Sequence, residues 1–371
     1  MKRFLIRTAL LMLPLCLLFE PEPPQEGIDE LIGSIDLSGW DEWFRKEASE
    51  IPFQPSDFVR EIAASDGWQN ETDWMDRAAA FVLPEVTAAT GKLILFLGLG
   101  VLIAVTGGLH ASDGTMQTAQ TALRFAVACV VLTVAAEEVK TVFRMLNRIE
   151  TLSEWLLPVL LGFLTLTGME HSASVLSPAF AMLSGGVVHL LRDVAAPLCC
   201  IGGVLLAFDA NATGRLASLG KLFLRAAKWL LALLSFGYGL WSAMRGSVAA
   251  SADGLLFRSV KGAAGSFPVI GGIASDSIDT AYQCLQFVRR VLGVGGTVLL
   301  LLVFAKPVLS VFLSRCSFRI ASAACEPLSG RSYAELLRGL GDMLHVLLLC
   351  ELAAVSMSLL AIAPVFWMGT A

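Results

Sequence analysis

An ionised side chain inside a long apolar run is costly in hydrocarbon and is a functional candidate by default. Two such residues stand out. Lys306 lies in the apolar stretch 291–313, and Glu351 lies in the stretch 343–368. Lys306 is about seven residues from the end of its stretch and Glu351 about eight from the start of the next. At ~1.5 Å per residue, both sit roughly 10–12 Å deep if the two helices are antiparallel neighbours. The spacing predicts an intramembrane pair, Lys306 with Glu351. It would act as a tie between helices or line a polar pathway. Without the pair, Lys306 would snorkel to the interface and Glu351 would be protonated or face protein. A second set lies in 245–290, where Asp276 and Asp279, three apart, share a helix face and can meet Arg258 or Lys261.

Other chemistry is hard to find. Gly91-Lys92 is followed by Leu93, so no phosphate loop forms there, and neither H-E-x-x-H nor G-x-S-x-G occurs. His110, His171, His189 and His345 are scattered. His189 with Arg192 and Asp193 reads as a polar cluster at a helix end rather than as part of a hydrolase. All eight cysteines lie in or beside apolar stretches, so they read as free thiols and not as a disulfide scaffold. Cys199 and Cys200 are adjacent and point to different helix faces, which makes a poor metal site. The expectation is a non-enzyme with no catalytic residue, no cofactor and no metal.

The elements that would position these residues follow from composition. Of 371 residues, 56% are hydrophobic and 16% charged. A soluble chain is about 25% charged and less than half apolar. The excess argues against a soluble enzyme, a nucleic-acid binder or a disordered scaffold, and for a polytopic membrane protein in contact with lipid. The net charge of −5 hides a division. Between Glu20 and Glu85 there are about 17 acidic and 4 basic residues, so that segment carries about −13 and the rest about +8.

Residues 1–20 join basic Lys2, Arg3 and Arg7 to an apolar run from Ala9 to Phe19, the pattern of a signal peptide or signal anchor. Residues 21–90 form an acidic exported segment that holds Trp40, Trp43, Trp68 and Trp74. Helical spacing of Ile28, Leu31, Ile32 and Ile35, a helix start at Ser56-Asp57, and Trp74, Phe81, Val82 and Val86 predict three short helices. The segment reads either as a docking surface with Trp anchors or as a cap on the bilayer interface.

Residues 91–371 form a multi-pass transmembrane domain. Its apolar segments are 93–109, 119–136, 155–169, 174–191, 194–208, 229–244, 291–313 and 343–368. Several are short, so the predicted fold class is all-α, a polytopic helical membrane protein with about six to eight transmembrane helices and a small exported helical segment. Eight crossings place 209–228 and 314–341 inside with their basic residues, as the positive-inside rule asks, but leave the basic stretches 137–154 and 245–290 outside. Gly and Pro residues in 245–290, in a half-apolar context, predict a re-entrant element there, an ordinary surface loop being the alternative. Gly100, Ala104 and Gly108 repeat every four residues and predict a close helix contact, as does Ser235-x-x-x-Gly239.

Ser266-Phe-Pro-Val-Ile-Gly-Gly-Ile-Ala-Ser-Asp-Ser-Ile-Asp-Thr280 resembles the signature of the stage III sporulation protein AE family, with Phe267, Pro268, Gly271, Gly272, Asp276 and Asp279 as its marked positions. Cys325-Glu-Pro-Leu-Ser-Gly-Arg-Ser-Tyr333, continuing to Gly341-Asp-Met343, resembles a second block, and Arg245-Gly-Ser-Val-Ala through Lys261 agrees. The similarity covers roughly 150–368. It implies a permease-like component of a transenvelope channel or secretion apparatus linking mother cell and forespore. The implied partners are other stage III sporulation operon proteins, including a secretion-type ATPase and ring-forming subunits, and a forespore-side channel protein. The implied location is the mother-cell-derived membrane around the forespore, with 21–90 in the intermembrane space. The reading from another class is a secondary transporter using Lys306, Glu351, Asp276 or Asp279 for coupling.

Overall fold

The computed structural model describes residues 71–108, 114–166, 178, 183–211, 216–265, 301 and 303–367, with side-chain surroundings at 82–107, 118–152, 178, 186–209, 216–241, 301 and 303–361. The predicted signal, most of the exported segment and the signature at 266–280 lie outside the described residues. All regular structure among the described residues is helical. Helix α1 is Glu71–Gly108, α2 is Gly114–Leu166, α3 is Ala196–Asn211, α4 is Ala217–Gly265 and α6 is Arg331–Trp367. Helix α5 spans 303–329, and two π-helical stretches, Leu183–Val188 and Leu191–Ala195, lead into α3. Five helical segments are long and apolar enough to cross a membrane: Val82–Gly107, Thr118–Leu152, Gly186–Asp209, Val303–Ser329 and Arg331–Ala361.

The apolar segments therefore do not map one to one onto helices. Segments 119–136 and 155–169 join in α2, whose 53 residues extend about 80 Å. The charged stretch between them holds no Gly or Pro and is rich in helix formers, so nothing breaks the helix. Lys140 and Glu137 even pair along it at 2.8 Å. Segments 174–191 and 194–208 are separated by little more than Arg192-Asp193, and the chain is helical from 183 to 211 through the π turns. The break expected from residue 245 onward does not occur before 266. Helix α4 runs through Gly246, Gly254 and Gly262 to Gly265. An isolated helical Gly costs about 1 kcal/mol, which the surrounding Ala, Leu, Arg and Lys residues offset. The third helix expected in the exported segment is the first part of α1, which passes unbroken through Pro84 into the apolar run.

The six helices form three antiparallel hairpins. In α1/α2, Gln120 Nε2 donates to the Thr106 carbonyl at 3.0 Å. In α3/α4, the Leu216 amide donates to Asp209 Oδ1 at 2.7 Å across the turn. In α5/α6 the turn narrows to Gly330, whose φ of +86° suits glycine as the residue ending a helix. All three turns lie at one end. Ser317 on α5 bonds the Ala89 carbonyl, and Cys325 bonds the Phe96 carbonyl, so α1 and α5 run parallel. Gly203 on α3 meets Met343 on α6 while Leu206 meets Gly339, so α3 and α6 run antiparallel.

Helix α6 is the axis. Leu337, Leu340, Leu344, Leu347, Cys350, Ala354, Met357 and Ala361 are fully buried on it, and a helix apolar nearly all round belongs in the interior. Helix α3 nests beside it through glycines. A Cβ on Gly220 would stand 2.9 Å from the Gly202 carbonyl oxygen, so the α3 and α4 backbones touch. The outward faces are apolar, with Trp229, Leu233 and Phe236 of α4 about three-quarters exposed (77%, 69% and 72%). Buried charge and exposed aromatics together suit a chain solvated by lipid. The protein is a polytopic helical membrane protein.

Candidate functional site

The charged residues that the bundle brings together come from both sides of its hairpins. Lys92 on α1 forms an ion pair with Glu138 on α2 and donates to Ser314 Oγ on α5 at 2.8 Å. Lys92 is a quarter exposed (24%), whereas Glu138 and Ser314 are buried. Counted along the helices from the shared turn end, Lys92, Ser314, Glu351 and Glu138 all fall roughly 24–36 Å in at 1.5 Å per residue. Glu351 on α6 is fully buried, and neither of its carboxyl oxygens has a hydrogen-bond partner. Glu138 Oε2 is in the same condition. Glu138 is also the ionisable group whose charge acts on Glu351. Four helices thus bring one cation, two carboxyl groups and a hydroxyl into one buried neighbourhood.

This cluster is not the pair that the sequence predicts. Lys306 has contacts of its own, and the Glu351 oxygens receive no hydrogen bond from it. Arg319 meets Asp342 at 2.7 Å and Arg338 meets Glu326 at 2.9 Å, a register that puts Glu351 opposite roughly residues 310–313, between one and two turns from Lys306. The decisive variable is direction around the helix axis, because Glu351 faces the interior and Glu138. Lys92 and Glu138 were legible by the same logic. Lys92 stands just before the run 93–109 and Glu138 just after the run 119–136, so antiparallel neighbours put them at one depth.

The predicted small-residue face is met in detail at one position. Gly100 is buried, and a Cβ there would lie 2.5 Å from Cys325 Sγ and 3.4 Å from Tyr333 Cε1. Ala104 is half-buried, and Gly108 ends the helix. Gly239 makes only an ordinary contact, its Cβ position lying 3.9 Å from Leu360 Cδ1. The second signature block explains Gly100. Cys325 and Tyr333 flank the Gly330 turn, and Tyr333 Oη donates to the Phe96 carbonyl at 3.0 Å. The rings of Phe96 and Phe318 stack with centroids 4.5 Å apart. The block therefore closes the α5/α6 hairpin and clamps α1 onto it. Phe267, Pro268, Gly271, Gly272, Asp276 and Asp279 of the first block lie outside the described residues.

A second polar group gathers at the α2–α3 contact. Arg192 Nη1 donates to Glu150 Oε2 at 2.7 Å and to Asn147 Oδ1 at 3.1 Å, and Arg192 Nε donates to Asp193 Oδ1 at 3.0 Å. His189 Nε2 lies 3.2 Å from Glu150 Oε1. The cluster expected at His189, Arg192 and Asp193 therefore extends to α2. It sits on the π-helical stretch, where the widened turn sets Arg192 toward α2.

Comparison with known proteins agrees with these blocks. The family model described as stage III sporulation protein AE matches residues 53–369. The stage III sporulation protein AE of Bacillus subtilis (strain 168) is 23% identical over 298 residues, covering 78% of this chain and 74% of the relative. No solved structure matches. With the match running from before α1 to the end of α6, the chain belongs to the stage III sporulation protein AE family.

Proposed function

We propose that this sporulation protein is the non-catalytic, permease-like membrane component of a transenvelope channel or secretion apparatus that links mother cell and forespore. The observation that carries the reading is the family match over 53–369, which takes in the whole helical body. The bundle supports it, since a glycine-packed core around α6 and broad apolar outer faces suit a subunit assembled within a membrane. The shared turn end would face the mother-cell cytoplasm. Arg215, Lys221, Arg225 and Lys228 lie in sequence around the α3/α4 turn, and Arg315, Arg319, Arg331 and Arg338 around the α5/α6 turn. Residues 21–90 then project into the space between the two forespore membranes.

The partners in this reading are the other stage III operon proteins, a secretion-type ATPase and ring-forming subunits among them, with a forespore-side channel protein completing the connection. Co-purification of the detergent-solubilised full chain with the ATPase and ring proteins, and no solute flux by the chain alone in liposomes, is the expected result. Failure to recover either partner after mild cross-linking would sink the reading. A secondary transporter is the second reading, favoured by the buried Lys92–Glu138 and Glu351 groups, and substrate-dependent proton flux by the purified chain alone would support it.

A further inference from the structure

Glu351 poses a problem that the assembly role does not solve. A carboxyl group that is fully buried and receives no hydrogen bond is strongly disfavoured in its charged form. Its surroundings offer little relief. From α2 it faces Glu138, a second carboxyl group whose Oε2 is itself without a donor. Lys92 of α1 is committed to Glu138 Oε1 and Ser314 Oγ. On α6 its neighbour is the Cys350 thiol, which meets Cys199 of α3, while Lys306 of α5 is engaged with other groups. Among the described residues, Lys92 is the cation that bonds to this pair of carboxyl groups, through Glu138, which leaves an excess negative charge there. One bound monovalent cation would cancel it.

We propose that this cation is a proton, and that Glu351 is a proton-binding site exchanging with solvent by way of Glu138 and Lys92. The reaction is the simple one, carboxylate plus proton giving carboxylic acid. The geometry favours a proton over a metal ion. Only three carboxylate oxygens are unengaged, and a hard metal cation takes about six or more oxygen ligands. The Lys92 ammonium also stands in the cluster and repels a metal ion. Exchange has a route, because Lys92 is partly exposed and bonds to Glu138, which lies at a depth similar to Glu351 on a neighbouring helix. An accessible cation, an intermediate carboxylate and a buried carboxyl group thus run inward in order. Protonated Glu351 leaves Glu138 to Lys92 alone, whereas ionised Glu351 competes for it.

The test is modification of the full chain in lipid vesicles by an apolar carbodiimide, which adds to protonated carboxyl groups in hydrophobic surroundings, with the labelled residue located by peptide mass spectrometry. Labelling at Glu351 is expected at low pH and falls about tenfold for each pH unit beyond its midpoint as the pH is raised. Glu351→Gln abolishes the label, and Glu351→Asp, which keeps the group should Gln misfold, retains it. Removing the anionic neighbour by Glu138→Gln moves the labelling profile to lower pH, a response that a carboxyl group remote from Glu138 would not give. Labelling of Glu351 that is absent or independent of pH overturns the proposal, as does an unmoved profile in a folded Glu138→Gln protein. Protection by excess sodium chloride, but not by choline chloride at equal ionic strength, would make sodium the occupant and equally overturn it.

Discussion

The contact between Gly100 and Cys325 offers a direct trial of how this bundle is held together. A methyl group added at Gly100 would stand 2.5 Å from Cys325 Sγ, far inside van der Waals contact, but at an acceptable 3.4 Å from Cys325 Cβ. The thiol is buried and directed at the Phe96 carbonyl 3.8 Å away, so it has little freedom to swing aside. Gly100→Ala therefore pushes α1 off the α5/α6 hairpin, and overpacking of this kind costs about 1–3 kcal/mol. Cys325→Ala removes the sulfur and leaves a small void, at a cost of about 1 kcal/mol. In the double variant the new methyl group occupies the space that the sulfur vacated. Its loss should fall short of the sum of the single losses by about 1–2 kcal/mol, well beyond the ~0.5 kcal/mol within which independent sites add. The assay is unfolding of the detergent-solubilised protein by heat or denaturing detergent, followed by loss of helical signal or by Trp fluorescence. Additive losses would refute the reasoning, for they would mean that α1 does not rest on Cys325.

Lys92→Met strips the buried Glu138 of its cation and should cost about 2–4 kcal/mol in the same unfolding assay, with Lys92→Met/Glu138→Gln recovering a large part of the loss. Tyr333→Phe removes a buried hydrogen bond to the Phe96 carbonyl and should cost about 1–2 kcal/mol without changing helix content, read by circular dichroism. Gly330→Ala forces a side chain into left-handed backbone and should lower stability by about 1–2 kcal/mol, while Gly330→Asn costs less, as melting midpoints will show. Single cysteines placed at 110, 214 and 330 should all react with an impermeant thiol reagent from the same face of oriented vesicles, and labelling of any of them from the opposite face would break the three-hairpin arrangement.

Much of the architecture was written in one dimension. A 56% apolar composition, with runs long enough to span, demands backbone hydrogen bonds made within each segment, hence helices. The Gly100 contact agrees with the residue type, because a side chain there would run into Cys325. The second family block was also readable, although not its reason, which is a hairpin turned on Gly330 with Cys325 and Tyr333 gripping α1. Apolar runs mark where lipid lies rather than where helices stop, so they did not give the helix boundaries. The charged stretch 137–154 interrupts the apolar pattern while its backbone stays helical.

The charged cluster lies beyond the reach of sequence for a different reason. Depth along a helix is a sum over residues, and it suits Lys306 with Glu351 as well as Lys92 with Glu138. Partnership also requires that two side chains share an azimuth, and each residue turns the helix by about 100°. Which face of α6 meets α2 depends on the packing of all six helices. Only the tertiary structure decided that Glu138 answers to Lys92 while Glu351 stands beside it, buried and without a donor.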